Sequence, residues 1–225
     1  MKNILMIGIC LALSLQACKK DKAVTEIEKP QLLPDPTEGA PVSGIAQPEV
    51  PNSTVVYRKV NQVLGYNQHI FLDVDADGTS DFNFFSVLIH HDDMPNLYLL
   101  VTPKTAKGSS VLVEQGEELV VNALWSFPLI KEQLIRESPI TGCIWTEPLM
   151  KGFIAGSSKT AGSESYTGLW IGKSDKYLGI RFKLNGKLHY GWIRLSHDKL
   201  KDEVTISDYA YSKSPEQSIA AGRIE

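Results

Sequence analysis

Tyr177-Leu178-Gly179-Ile180-Arg181-Phe182-Lys183-Leu184, then Asn185-Gly186-Lys187, then Leu188-His189-Tyr190-Gly191-Trp192-Ile193-Arg194-Leu195, carries the reading on which the fold turns. Apolar and polar residues alternate on both sides of an Asn-Gly pair, and that pair between alternating strands signals a hairpin. Similar short runs lie upstream, each bounded by Gly, Pro, Asn or Asp: Val55-Val56-Tyr57, Ile70-Phe71-Leu72, Phe82 to Ile89, Leu97 to Val101, Val111-Leu112-Val113 and Leu119 to Leu124. Leu169-Trp170-Ile171 and Val204 to Tyr211 extend the pattern downstream. One helix is expected, over Leu129 to Glu137 after Pro128. No repeat is visible. The expectation is an all-β domain over residues 54–225, mainly an antiparallel sandwich or a related architecture, with at most one or two short helices.

Tyr190 and Trp192 fall two apart in this stretch and so share a strand face. Exposed, the pair would stack on sugar rings. Packed inward, it would be core, since large aromatics dominate buried area.

The sharpest chemistry lies in Asp73-Val74-Asp75-Ala76-Asp77-Gly78-Thr79-Ser80-Asp81. Aspartates at positions 1, 3, 5 and 9 with Gly at 6 match the front of a calcium loop of the EF-hand type. Calcium takes six to eight hard oxygens, and alternate residues in a tight loop turn their carboxylates toward one point. Asp73, Asp75 and Asp77 are expected as ligands, with the Thr79 carbonyl, and Asp81 binding directly or through water. Position 12 is Phe84 where the helical version has a glutamate, and both flanks read as strands. The loop therefore resembles the inter-strand loops of Asp-rich extracellular calcium repeats. A remaining ligand would come from water or elsewhere, Asp92 and Asp93 being candidates. Without a metal the same residues make an exposed Asp-Gly turn, but four carboxylates in nine residues repel one another unless a cation is present. Calcium is the expected cofactor, structural rather than catalytic, and an affinity of roughly 0.1–1 mM would suffice outside a cell.

The N-terminus reads as an address. Lys2 precedes an apolar run, Ile4 to Leu15, too short to span a bilayer, which ends at Leu15-Gln16-Ala17-Cys18. Those four residues resemble a lipobox, and Cys18-Lys19-Lys20-Asp21-Lys22 resembles the start of many Bacteroidota lipoproteins. The resemblance implies cleavage after residue 17, acylation of Cys18, and attachment to a membrane, as an envelope protein of the outer membrane or cell surface. Two or more acyl chains, at about 0.8 kcal/mol per buried methylene, make such an anchor durable.

Six of twelve prolines fall between Pro30 and Pro51 among Glu, Gln, Ser and Gly, so residues 18–53 read as a disordered tether. The chain has 225 residues and net charge −3, and loss of residues 1–17 takes Lys2 away and leaves about −4. That balance shows no basic patch for nucleic acid. Cys10 would leave with the signal and Cys18 would be acylated, so Cys143 stands alone, with an apolar setting that suits an inert thiol.

His90-His91-Asp92-Asp93 holds metal-capable groups, but neighbours in a strand point to opposite faces, so it reads as a solvated strand end. Gly172-Lys173-Ser174 lacks the first glycine of a phosphate loop, that position being Thr167. No catalytic motif stands out, and none of the residues is assigned a catalytic role.

Residues 177–182, 189–195, Ile206-Ser207-Asp208-Tyr209-Ala210-Tyr211 and Ile219-Ala220-Ala221-Gly222 are together similar to a pattern in exported bacterial proteins of the PEP-CTERM type, which often carry an Asp-rich loop early in the domain. This chain stops at Gly222-Arg223-Ile224-Glu225, without that family's sorting motif, apolar helix and basic tail. The family's activity is undefined, so the likeness implies fold and location. Three readings of function follow: a non-enzymatic surface interaction or adhesion module, a carbohydrate-binding surface lipoprotein, and a hydrolase with a dispersed site. The partners implied are the membrane through Cys18, and a glycan or another surface protein.

Overall fold

The computed structural model describes residues 39–47, 53–91, 94–119, 122–160 and 162–225. The signal segment, Cys18, much of the 18–53 tether, Asp92 and Asp93 lie outside them. Among the described residues the chain forms strands β1 (Val42–Ser43), β2 (Ile45–Ala46), β3 (Val55–Leu64), β4 (His69–Asp73), β5 (Phe82–His91) and β6 (Met94–Pro103). After a 3-10 turn, Thr105–Lys107, come β7 (Ser110–Glu114), β8 (Ala123–Trp125), β9 (Pro128–Leu129), β10 (Leu134–Ile135) and β11 (Cys143–Trp145). The rest are β12 (Lys151–Thr160), β13 (Ser163–Thr167), β14 (Lys176–Leu184), β15 (Lys187–Asp198), β16 (Glu203–Ser212) and β17 (Ile219–Ala220).

Two large sheets result. The first runs β1-β4-β5-β6-β12-β13, with β8 beside β12; the second runs β11-β7-β14-β15-β16-β3-β2, with β9 beside β14. Pairing is antiparallel except for β1 on β4 and β8 on β12. The fold is the expected all-β, sandwich-like arrangement. At its centre the Asn185-Gly186 pair makes a two-residue turn, both residues at positive φ (52° and 76°), with Leu184 opposite Lys187.

Alternation then sorts the side chains. Leu72, Phe82, Phe84, Val101 and Ile154 from the first sheet share one core with Ile180, Ile193, Leu195, Ile206 and Tyr209 from the second. Tyr190 and Trp192 point the other way, into a second core with Leu112, Leu129, Trp145 and Tyr177, which Ile219 and Ala221 help to close. Each is only 1% exposed, and the Trp192 indole N–H donates to the Arg223 carbonyl at 3.2 Å. The pair is therefore core and not a sugar-stacking surface. The second sheet is covered on both faces, the outer cover coming from residues far away in sequence.

Two further expectations are corrected. Residues 129–137 form no helix. Leu134–Ile135 pairs with Ile219–Ala220, Glu132 sits at φ 70°, and its N–H donates to the Ala221 carbonyl at 2.9 Å. A nine-residue segment gains little from helical hydrogen bonds alone, so pairing with the C-terminal segment wins. The tether boundary also moves: Val42 stands opposite Leu72 and Ile45 opposite Lys59, so residues within 39–47 belong to the sheets. Gly44 permits this close approach, because a Cβ there would lie 2.8 Å from Cβ of Arg58 and 2.9 Å from the Lys59 carbonyl oxygen.

Cys143 is buried in β11 as a free thiol, and burial, with the Glu114 carboxylate, pushes it up to about 11. Roughly a thousandth of it would be thiolate at pH 8. A thiol-reactive dye at that pH should label the native protein negligibly and the urea-unfolded protein stoichiometrically; fast labelling of the native state would contradict an inert core cysteine.

Candidate metal centre

β4 ends on Asp73 and β5 begins at Phe82, so the Asp-rich segment is the connection of a hairpin. The Asp81 N–H donates to the Leu72 carbonyl at 2.8 Å and closes it. Inside, aspartate side chains turn back on the main chain, as short acidic side chains do in turns. Asp73 accepts the N–H groups of Ala76 (2.7 Å), Asp77 (3.2 Å) and Gly78 (2.9 Å), and the Ser43 hydroxyl at 3.1 Å. Asp75 Oδ1 accepts Asp77 N–H at 3.2 Å, and Asp77 Oδ1 accepts Thr79 N–H at 2.9 Å. Asp81 Oδ2 accepts Val74 N–H at 2.7 Å. Gly78, at φ 89°, supplies the left-handed step that the sequence pattern required.

The result is a convergence of carboxylates. Oxygens of Asp73, Asp75 and Asp81 lie within 4.8 Å of one another, a group that could hold a metal ion. Asp73 and Asp81 are buried, at 1% and 0% exposure. Asp81 Oδ1 is buried and has no hydrogen-bond partner. Burial pushes the Asp81 carboxyl up to about 7, against the Val74 N–H that holds it down. Burial also raises Asp75, opposed by the nearby Lys107 ammonium. A buried carboxylate oxygen with no partner is costly, and such sites call for a proton or a cation.

One expected ligand, Asp77, stands apart from this group of carboxylates. Asp77 is turned toward solvent and hydrogen-bonds Lys107, which holds its carboxyl below the ordinary range. Thr79 is exposed. His91, which precedes Asp92 and Asp93, ends the ten-residue strand whose other end meets the loop, about 30 Å away at strand rise. Lys107 and Ser43, which do reach the site, carry no sequence signal that could have placed them.

The second sheet steadies the loop from behind. The buried Tyr209 hydroxyl donates to the Val74 carbonyl at 3.2 Å and to the Asp73 carbonyl at 3.4 Å. The described histidines lie elsewhere: His189 is buried against the Ser212 carbonyl, and His197 accepts the Gly172 N–H. His69 is exposed and stacks on Phe71 and Phe85, while His90 is exposed near the end of β5.

Compared with protein-family models, curated proteins and solved structures, the chain matches none.

Proposed function

We propose that this chain is a calcium-stabilised β-sandwich held to a bacterial envelope through lipid on Cys18, serving non-catalytic contact at the cell surface. One pair of observations carries the calcium reading: carboxylate oxygens of Asp73, Asp75 and Asp81 lie within 4.8 Å of one another, and the buried Asp81 side chain keeps one oxygen, Oδ1, without a partner. Calcium bonds oxygen at about 2.3–2.6 Å, so oxygens around it lie at most about 5 Å apart, which fits this group. The remaining coordination would come from Asp77, the Thr79 carbonyl or water. An all-oxygen ligand set with no His or Cys favours a hard cation over zinc or copper.

Native mass spectrometry of the chelator-treated protein with added calcium chloride tests the reading. One bound ion is expected; a spectrum without bound calcium well above 1 mM, beyond the weak extracellular range, would reject it. The anchor has its own test. In the producing bacterium, Cys18→Ser should move the protein out of the membrane fraction, and unchanged fractionation would rule out lipid at that residue.

Carbohydrate binding is supported by a different surface from the one expected. His69, Phe85, Leu100, Phe153 and Trp125 stand opposite one another across five strands on the outer face of the first sheet. Leu100 and Phe153 in the middle of the row are buried, at 1% and 2% exposure, so the area open to a ligand is limited to exposed His69 and half-buried Phe85, Trp125 and nearby Tyr98. A glycan array probed with the wild type and Trp125→Ala separates this from protein contact, since sugar stacking predicts binding that the substitution removes.

A further inference from the structure

We propose that Lys107 is a built-in competitor for the cation at the aspartate loop, setting how much calcium the loop needs; the inference rests on the calcium reading above. The lysine comes from outside the loop but is fixed to it. Lys104 N–H donates to the Asp81 carbonyl at 2.8 Å, which ties the start of the 104–109 segment to the last residue of the loop. From there the 3-10 turn is closed by Lys107 N–H on the Lys104 carbonyl (3.0 Å) and Gly108 N–H on the Thr105 carbonyl (2.9 Å). Gly108 adopts φ 61°, and the segment then returns through Ser109 N–H to the Lys104 carbonyl at 3.2 Å.

This short anchored turn aims the ammonium at the carboxylates. Lys107 Nζ hydrogen-bonds Asp77 Oδ2 and lies 3.8 Å from Asp75 Oδ2, with the side chain 17% exposed. Its charge offsets part of the acidic cluster and engages Asp77, which stands outside the group of three. One monovalent charge is too little for Asp73, Asp75, Asp77 and Asp81 together, and Asp81 Oδ1 stays without a partner. The loop is thus braced by its own hydrogen bonds yet not satisfied by its lysine.

Calcium entering among Asp73, Asp75 and Asp81 meets that ammonium at close range. It must move the ammonium off Asp75 and compete with it for Asp77. Like charges a few ångströms apart in a partly desolvated site repel strongly, so the exchange weakens calcium binding. A simple structural ion pair would act the other way: by ordering Asp77 and Asp75 it would help the loop bind, and its removal would lower affinity.

Calorimetric titration of the purified full-length chain with calcium chloride decides between them, using wild type, Lys107→Met and Lys107→Arg. Lys107→Met keeps the aliphatic stem and removes the charge, and should bind calcium at least about tenfold more tightly. Lys107→Arg keeps the charge and should stay close to wild type. Binding by Lys107→Met alone also supports competition. Equal or weaker binding by Lys107→Met, with wild type still binding, overturns the competitor and leaves the calcium site standing. Absence of binding in all three overturns the calcium reading itself. Should Lys107→Met fail to fold in chelator, Lys107→Gln keeps a donor for Asp77 and carries the same expectation and the same contrary outcome.

Discussion

Saturating calcium should raise the melting temperature of the chelator-treated protein by roughly 5–10 °C. The figure follows from linkage: an ion that binds only the folded state, at a hundred times its dissociation constant, adds about 2.7 kcal/mol. A domain of this size gains roughly 2–4 °C per kcal/mol. Asp81→Asn makes the prediction specific. Asparagine keeps an acceptor for the Val74 N–H and replaces the partnerless carboxylate oxygen by a neutral amide. In chelator the variant should melt no lower than wild type, because a buried charge has been removed. In calcium it should lose most of the increase. Scans of both proteins with and without calcium give four numbers. Equal rises in wild type and variant would show that any stabilisation comes from elsewhere.

Trp192→Ala is expected to cost about 3–5 kcal/mol, the range for emptying a large aromatic from a core. Against a total stability of about 5–15 kcal/mol, that is a large fraction. Trp192 is 1% exposed, meets Tyr177 edge-on at 5.1 Å between ring centroids, and donates to the Arg223 carbonyl. The substitution therefore opens a cavity and loosens the C-terminal cover as well. Tyr66→Ala is the control: Tyr66 is 64% exposed, and its loss should change stability by no more than about 0.5 kcal/mol. Urea unfolding of the two variants checks the contrast. A Trp192→Ala protein as stable as wild type would mean that the indole does not support the second core.

The parts of the fold that were legible in the sequence are local. Asn185-Gly186 forces a tight turn with positive φ at both residues, and the alternating residues beside it can pair in only one register without exchanging faces. The loop at 73–81 was equally legible, since each aspartate answers a main-chain N–H within five residues, apart from Asp81, which reaches back seven to Val74. What was not legible depends on closure between distant segments. Tyr190 and Trp192 carry the same alternation whether their face is covered or bare, and the cover comes from residues 129–145 and 219–223. Val42–Ser43 and Ile45–Ala46 are too short to show a period. Lys107 lies 30 residues beyond Asp77, and only the pairing of β5 with β6 brings its segment back to the loop.

That pairing links fold to site. β5 leaves the loop, β6 returns beside it with Pro103 opposite Phe82, and the next residues deliver Lys107. Tyr209 holds the same loop from the second sheet. The expected effect of calcium is therefore on the joint between the sheets as well as on the loop, which is how one ion can stabilise the whole domain.

A crystal structure of the protein grown in about 10 mM calcium, above the ~0.1–1 mM affinity range of weak extracellular sites, tests the central claim most directly. It should show one ion bonded to Asp81 Oδ1 and to carboxylates of Asp73 and Asp75 at about 2.3–2.6 Å, with Lys107 displaced from Asp75. A structure at that concentration with Asp81 Oδ1 bonded to water or to the Lys107 ammonium, and no ion among the three aspartates, would contradict it.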